Sequence, residues 1–120
     1  MPLAIAEDEE TARQIAAGWL LAYLTRMGPL YPRMLRDHFG FAREVDALLE
    51  ANGSGGSPRL PPAAEPLARD VTLMATYDEA SDIIRSWLEA GADTIDLVLP
   101  LGLPEQQLHE MLKAAAPADH

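Results

Sequence analysis

Between positions 76 and 100 the apolar residues first recur with helical spacing, then crowd onto both faces of an extended run. Ala80, Ile83, Ile84, Trp87 and Leu88 fall at i, i+3, i+4, i+7 and i+8, one stripe of a helix. Thr76 and Glu79 have the T-x-x-E spacing of a capping box ahead of that stripe. Gly91 stands where a helix end favours a residue free to take positive φ. The run Thr94-Ile95-Asp96-Leu97-Val98-Leu99 then reads as a strand closed by Pro100. A strand this apolar, fed directly by a helix, fits a parallel sheet covered by helices. Few other segments of the chain read this way, so the pattern predicts one part of a larger barrel or sheet.

The rest of the pattern is mainly helical. Leu3 to Ala6 is short and apolar, a candidate strand. The acidic run Glu7 to Glu10 precedes a broad apolar face built from Ile15, Trp19, Leu20, Tyr23, Leu24 and Met27, which predicts a helix over about residues 8–26. Gly28-Pro29 stops it, and Pro29 can open the next helix, in which Leu30, Met34 and Leu35 form the apolar side. A third helix near 41–51 aligns Phe41, Val45, Leu48 and Leu49. Residues 52–65, with Asn52-Gly53-Ser54-Gly55-Gly56-Ser57-Pro58, have the composition of a flexible loop. A short helix over 66–73 and a last one opened by Pro104, with Leu108, Met111, Leu112 and Ala115 aligned, complete the chain. Residues 116–120 read as a frayed tail. The organisation expected is a strand plus helical insertion over 1–51, the loop, and a helix-strand-helix end over 66–120.

Composition narrows the partners. The 120 residues are enough for one modest core, and the net charge is −10. A surface of that sign repels phosphate backbones and anionic lipid, which argues against nucleic acid and membrane partners. The chain has no cysteine, which excludes disulfides, thiolate catalysis and cysteine metal sites and suits a cytoplasmic location. The longest apolar run, near Ile15 to Leu24, is too short to span a bilayer. The N-terminus has no basic start and no long apolar centre, so no signal peptide is expected.

Candidate chemistry is sparse. His38 and His109 have no second ligand at metal spacing, so no metal site is expected. The glycines of 53–56 lack the lysine of a P-loop and the preceding strand of a dinucleotide fingerprint. Trp19 and Tyr23 are most simply core residues. Tyr31, Arg33 and Arg36 follow the Gly-Pro turn, and an arginine pair there could hold an anion, against a simple solvated helix face. Asp96 must be paired in a larger assembly or lie on an exposed face.

The order of these signals resembles the C-terminal third of the luciferase-like monooxygenase superfamily, including its deazaflavin-dependent reductases related to methylenetetrahydromethanopterin reductase. Leu3 to Arg13 looks like a late barrel strand with its acidic turn and helix. Gly28 to Leu35 and Phe39-Gly40-Phe41 resemble the insertion of the deazaflavin-dependent members. Ala75-Thr76-Tyr77-Asp78-Glu79 is similar to the family's G-T-P-E-E helix start, with Ala75 and Tyr77 in place of glycine and proline. Residues 90–100 look like the final barrel strand. The resemblance implies the C-terminal portion of an eight-stranded β/α barrel, mostly helical in this chain with one or two short parallel strands.

It further implies a flavin- or deazaflavin-dependent oxidoreductase, with hydride transfer to, or monooxygenation of, a small organic substrate. FMN or a deazaflavin would be the cofactor, not held by this chain alone. The loop after a barrel strand lies on the active-site face, which marks Pro100, Leu101 and Gly102 for cofactor contact. Tyr31 and Arg33 of the insertion are the candidates to border a substrate pocket. No catalytic residue carries over. The alternative is a non-catalytic helical association subunit, because two strands cannot close a barrel and leave edges and apolar faces to cover. Self-association or a companion chain is therefore expected.

Overall fold

Leu3 to Ala6 can be apolar at every position because both of its faces are covered. The computed structural model describes residues 1–26, 28–92, 95–100 and 102–115. In it β1 (Leu3–Ala6) is buried throughout and pairs in parallel with β2 (Leu73–Thr76), in the register Leu3 to Leu73, Ala4 to Met74, Ile5 to Ala75 and Ala6 to Thr76. Alternation along each strand sends Ala4, Ala6 and Met74 to one face and Leu3, Ile5, Leu73 and Ala75 to the other.

The first face is covered by α1 (Glu9–Thr25), α3 (Ala42–Ala51) and α4 (Glu65–Val71). Ala12, Ala16 and Ala17 let α1 lie close on the alanines of β1, and Leu20, Leu24, Val45, Leu48 and Leu67 fill the remaining space. The second face is covered by α5 (Tyr77–Glu89), through Ala80 and Ile84, and α6 (Glu105–Ala115), through Met111 and Ala115. Ile95, Leu97 and Leu99 join this second cluster. Between α1 and α3, α2 (Leu30–Arg33) runs directly into a π-helical turn at Met34–His38. The chain is thus a mixed α/β molecule, mostly helical, with two short parallel strands between helical layers.

Strand identity differs from the sequence pattern. Residues 95–99 were expected to form the second strand, yet their only pairing is one parallel bridge, Pro2 with Val98. The Leu3 N–H donates to the Val98 carbonyl at 2.9 Å, and the Val98 N–H donates to the Met1 carbonyl at 3.0 Å. Pro100 brings no N–H to extend that ladder. Asp93 and Thr94 lie outside the described residues, and Asp96 is exposed, with its carbonyl accepting from the amino terminus at 2.8 Å. The second strand is instead Leu73–Thr76, whose residues have ordinary helix propensity and which the pattern assigned partly to a helix. Its pairing with β1 overrides that local preference.

The spatial order is therefore β2, β1, then the 95–99 segment. In a β/α barrel successive strands are neighbours, β2 would be central and helices lie outside only. A central β1 with helices on both faces is the order of an open, doubly wound sheet. Because the chain has no cysteine, this order is directly testable. Cysteines placed together at Pro2 and Val98 are expected to close a disulfide in air, while a Met74 and Val98 pair stays reduced, as read by mass after alkylation.

The loop after α3 is also more ordered than its composition suggests. The Asn52 amide donates to the Leu48 and Arg59 carbonyls at 2.8 Å each, and its oxygen accepts from the Arg59 N–H at 2.8 Å. Leu60 is buried, a short 3-10 turn occupies Pro62–Ala64, and α4 begins at Glu65, inside the span expected to be loop. Arg13 ties this region to α1, donating to Glu65 at 2.9 Å and to the Leu60 carbonyl at 2.8 Å. Hydrogen bonds from Arg69, and then from Arg13, hold the Glu65 carboxyl below the usual carboxylate range. The capping box forms as expected: Glu79 accepts from the Thr76 N–H at 3.1 Å and from its hydroxyl at 2.8 Å. Gly91, at φ 115°, lets Ala92 N–H return to the Trp87 carbonyl at 3.1 Å and closes α5.

Candidate functional site: an aromatic groove and an acidic cleft

Trp19 leaves the inner stripe of α1 and reaches β1 on the edge where the 95–99 segment lies. Its indole N–H donates to the Leu3 carbonyl at 3.0 Å, which fixes the ring plane and satisfies a strand oxygen that has no ladder partner. The ring forms one wall of a groove of about 380 Å³. Ile15, Gly18 and Ala22 of α1 continue that wall, Pro58 comes from the loop after α3, and Pro100 and Leu103 close the opposite side. Gly18 keeps the floor open: a Cβ there would stand 3.8 Å from the Pro58 ring. Arg26, exposed at the end of α1, is the one charged residue on the rim. It has no ion-pair partner among the described residues.

An aromatic ladder extends from the groove. The Trp19 and Tyr23 rings stack at 6.1 Å and 19°, and Tyr23 meets Tyr31 at 5.2 Å and 35°. Burial, helped by Tyr31, pushes the Tyr23 hydroxyl above its ordinary value. Two of the residues singled out from the sequence are thereby joined: Pro100 lines the groove, and Tyr31 ends the ladder that starts in it. Arg33 does not line the groove and is exposed, while Arg36 is taken by Asp46 at 2.6 Å. Gly102 is exposed, at φ 83°, and also does not line it. Leu101 and Met27 lie outside the described residues. Sequence reasoning missed Pro58 and Arg26 and read Trp19 as core; the i, i+4 pair of Trp19 and Tyr23 was the available signal.

A second cleft, of about 310 Å³, opens at the carboxyl ends of β1 and β2. It is lined by Glu7, Asp8 and Thr11, by Tyr77 at the start of α5, and by Gln106, Gln107 and Glu110 of α6. The Asp8 carboxylate caps α1, accepting from the Thr11 N–H at 2.7 Å and its hydroxyl at 3.0 Å, and these bonds hold its pKa below the ordinary value. Burial and then the Glu110 charge push the Tyr77 hydroxyl up. Parallel α/β sheets place ligands at such strand ends. The charge here is negative throughout, which repels a phosphate. Among the described residues no group of three or more potential ligands could hold a metal, and no helix is long and apolar enough to cross a membrane.

The Asp8 cap predicts a pH signature. A carboxyl whose folded-state pKa is depressed stabilises the fold above its unfolded-state value, and the benefit disappears as pH falls through the folded-state value. Asp8→Ala is expected to melt below the parent at pH 7, and the two melting curves are expected to converge on acidification through the carboxylate range, as followed by circular dichroism.

Compared with known protein families, curated proteins and solved structures, the chain matches none.

Proposed function

We propose that this chain supplies one wall of a flavin or deazaflavin site in an oxidoreductase of the luciferase-like kind. The observation that supports this reading is the groove lined by α1, Pro58, Pro100 and Leu103, mostly apolar, with an indole fixed by its hydrogen bond to β1 and one arginine among its described residues. A groove of this volume, apolar with a single charged group, is within the usual range for a cofactor ring. Trp19 would stack on the ring, Pro100 and Leu103 would exclude water from its other edge, and Arg26 would hold an anionic tail. When bound, the cofactor supplies hydride transfer to or from a small organic substrate; the protein's part is placement and exclusion of water.

In this reading the strands belong to a larger parallel sheet whose remaining strands complete the site, with 95–99 kept at the edge of β1, where Pro100 and Leu103 line the groove. The acidic cleft takes no part, because FMN and deazaflavins carry phosphate.

The chain is expected to bind FMN or a deazaflavin weakly but saturably, read as quenching of cofactor fluorescence. Arg26→Ala is expected to weaken that binding and to abolish its dependence on salt. Absence of saturable quenching with either cofactor, or quenching indifferent to Arg26 and Trp19, overturns the reading.

A further inference from the structure

The outer surface of α2 and the π turn that extends it groups several of the exposed apolar side chains among the described residues. Leu30 is 63 % exposed, Phe39 54 % and Met34 37 %. Leu30 and Met34 stand one helical turn apart. The Phe39 N–H then returns to the Met34 carbonyl at 3.1 Å, the i to i+5 bond of a π turn, and the Phe39 ring meets that of His38 edge-on at 5.1 Å. Leu35 alone turns inward. Arg33, on the same short helix, is exposed.

Charge is strongly divided between this region and the rest of the chain. Residues 11–43 carry five arginines against one acid, Asp37, while the remainder carries four cations against eighteen acids. The complementary surface is on α6. Leu112 is 51 % exposed, and Glu105 and His109 precede it on the same stripe, at i−7 and i−3. The pattern had placed Leu112 on the inner face with Met111 and Ala115; it points outward instead.

We propose that the α2 surface of one copy docks on the outer face of α6 of a second copy. Leu30, Met34 and Phe39 would cover Leu112, and Arg33 would meet Glu105. The charge match is one exposed arginine, Arg33, against one exposed carboxylate, Glu105, which within its own chain faces only His109, at 3.7 Å, among the described residues, so a second copy supplies both halves. Two α2 surfaces facing each other would oppose their arginines, so the contact is head-to-tail. Such a contact does not close as a two-fold pair; it adds copies until a ring closes or a filament grows. Its charged component weakens with salt.

The test is sedimentation of the full chain over a range of concentration. The mass is expected to rise with concentration at low ionic strength and to fall toward one chain as salt is added. Arg33→Glu and Leu112→Lys, both at exposed positions, are each expected to sediment as single chains with unchanged circular dichroism. Mixed in equal amounts, they are expected to form a species of two chains that grows no further, because each retains the surface the other has lost. A parent chain that stays single at every concentration overturns the proposal. So does a salt-indifferent two-fold dimer, or a mixture of variants that remains single chains.

Discussion

Trp19→Ala is expected to abolish the flavin binding proposed for this chain and to lower its stability by about 2–4 kcal/mol. Both effects come from one side chain that does two things. Its ring is the stacking wall of the groove and the first rung of the ladder to Tyr31. Its N–H satisfies the Leu3 carbonyl on the edge of β1 where Pro100 brings no N–H. The alanine removes the wall, leaves a strand oxygen without its donor and frees Tyr23 to move. Trp19→Phe separates the two roles. A phenyl ring keeps the stacking surface and loses only the hydrogen bond, so cofactor quenching is expected to persist while stability falls by about 1–3 kcal/mol. Fluorescence titration and urea unfolding of the two variants read the two consequences independently. If Trp19→Phe loses binding as completely as Trp19→Ala, the ring acts through the position of β1 and not by stacking.

The larger effect on folding alone is expected from Leu20→Ala. Leu20 is 1 % exposed, at the centre of the layer between α1 and the sheet. Alanine is the better helix former, so α1 itself gains and the whole loss is packing. A buried leucine truncated to alanine costs about 2–5 kcal/mol. Against a total of about 5–15 kcal/mol for a domain, that is a large share. At about 4 °C per kcal/mol for a chain of this size, the melting temperature is expected to fall by roughly 8–20 °C. Glu50→Ala is the control: Glu50 is exposed on α3, and its loss is expected to shift stability by less than about 0.5 kcal/mol. Equal shifts in the two variants would show that the first helical layer is not where the fold is held.

The local elements were largely legible because their signals are local. Thr76 and Glu79 satisfy each other three residues apart, Asp8 caps α1 from the adjacent turn, and Gly91 ends α5 within the span it closes. The apolar stripes of α1, α3 and α5 were visible for the same reason: periodicity is written within one turn of the next. Strand identity was not legible. Leu73 to Thr76 is short and made of residues that serve a helix equally well, so only the unpaired groups of β1, about seventy positions earlier, decide that it is a strand. Leu112 and Met111 are adjacent and alike in hydropathy, and only the docking of α6 on the second face decides which is buried.

The candidate site divides the same way. Pro100 was singled out through the resemblance and Tyr31 through its place after the Gly-Pro turn; the structure puts the first in the groove and the second at the end of the ladder. Their connection runs through Trp19 and Tyr23 of α1, and Pro58 joins the groove from the loop that Asn52 ties back.

By itself, then, the sequence determined a mostly helical α/β chain, its caps and breaks, its acidic surface and its lack of thiol chemistry, because these follow from composition and from interactions within a few residues. The tertiary structure alone decided which segment pairs with β1, that helices cover both faces of the sheet, and that an indole stands opposite Pro100. Those depend on contacts between residues distant in sequence, whose closure is set by burial and not by any neighbour along the chain.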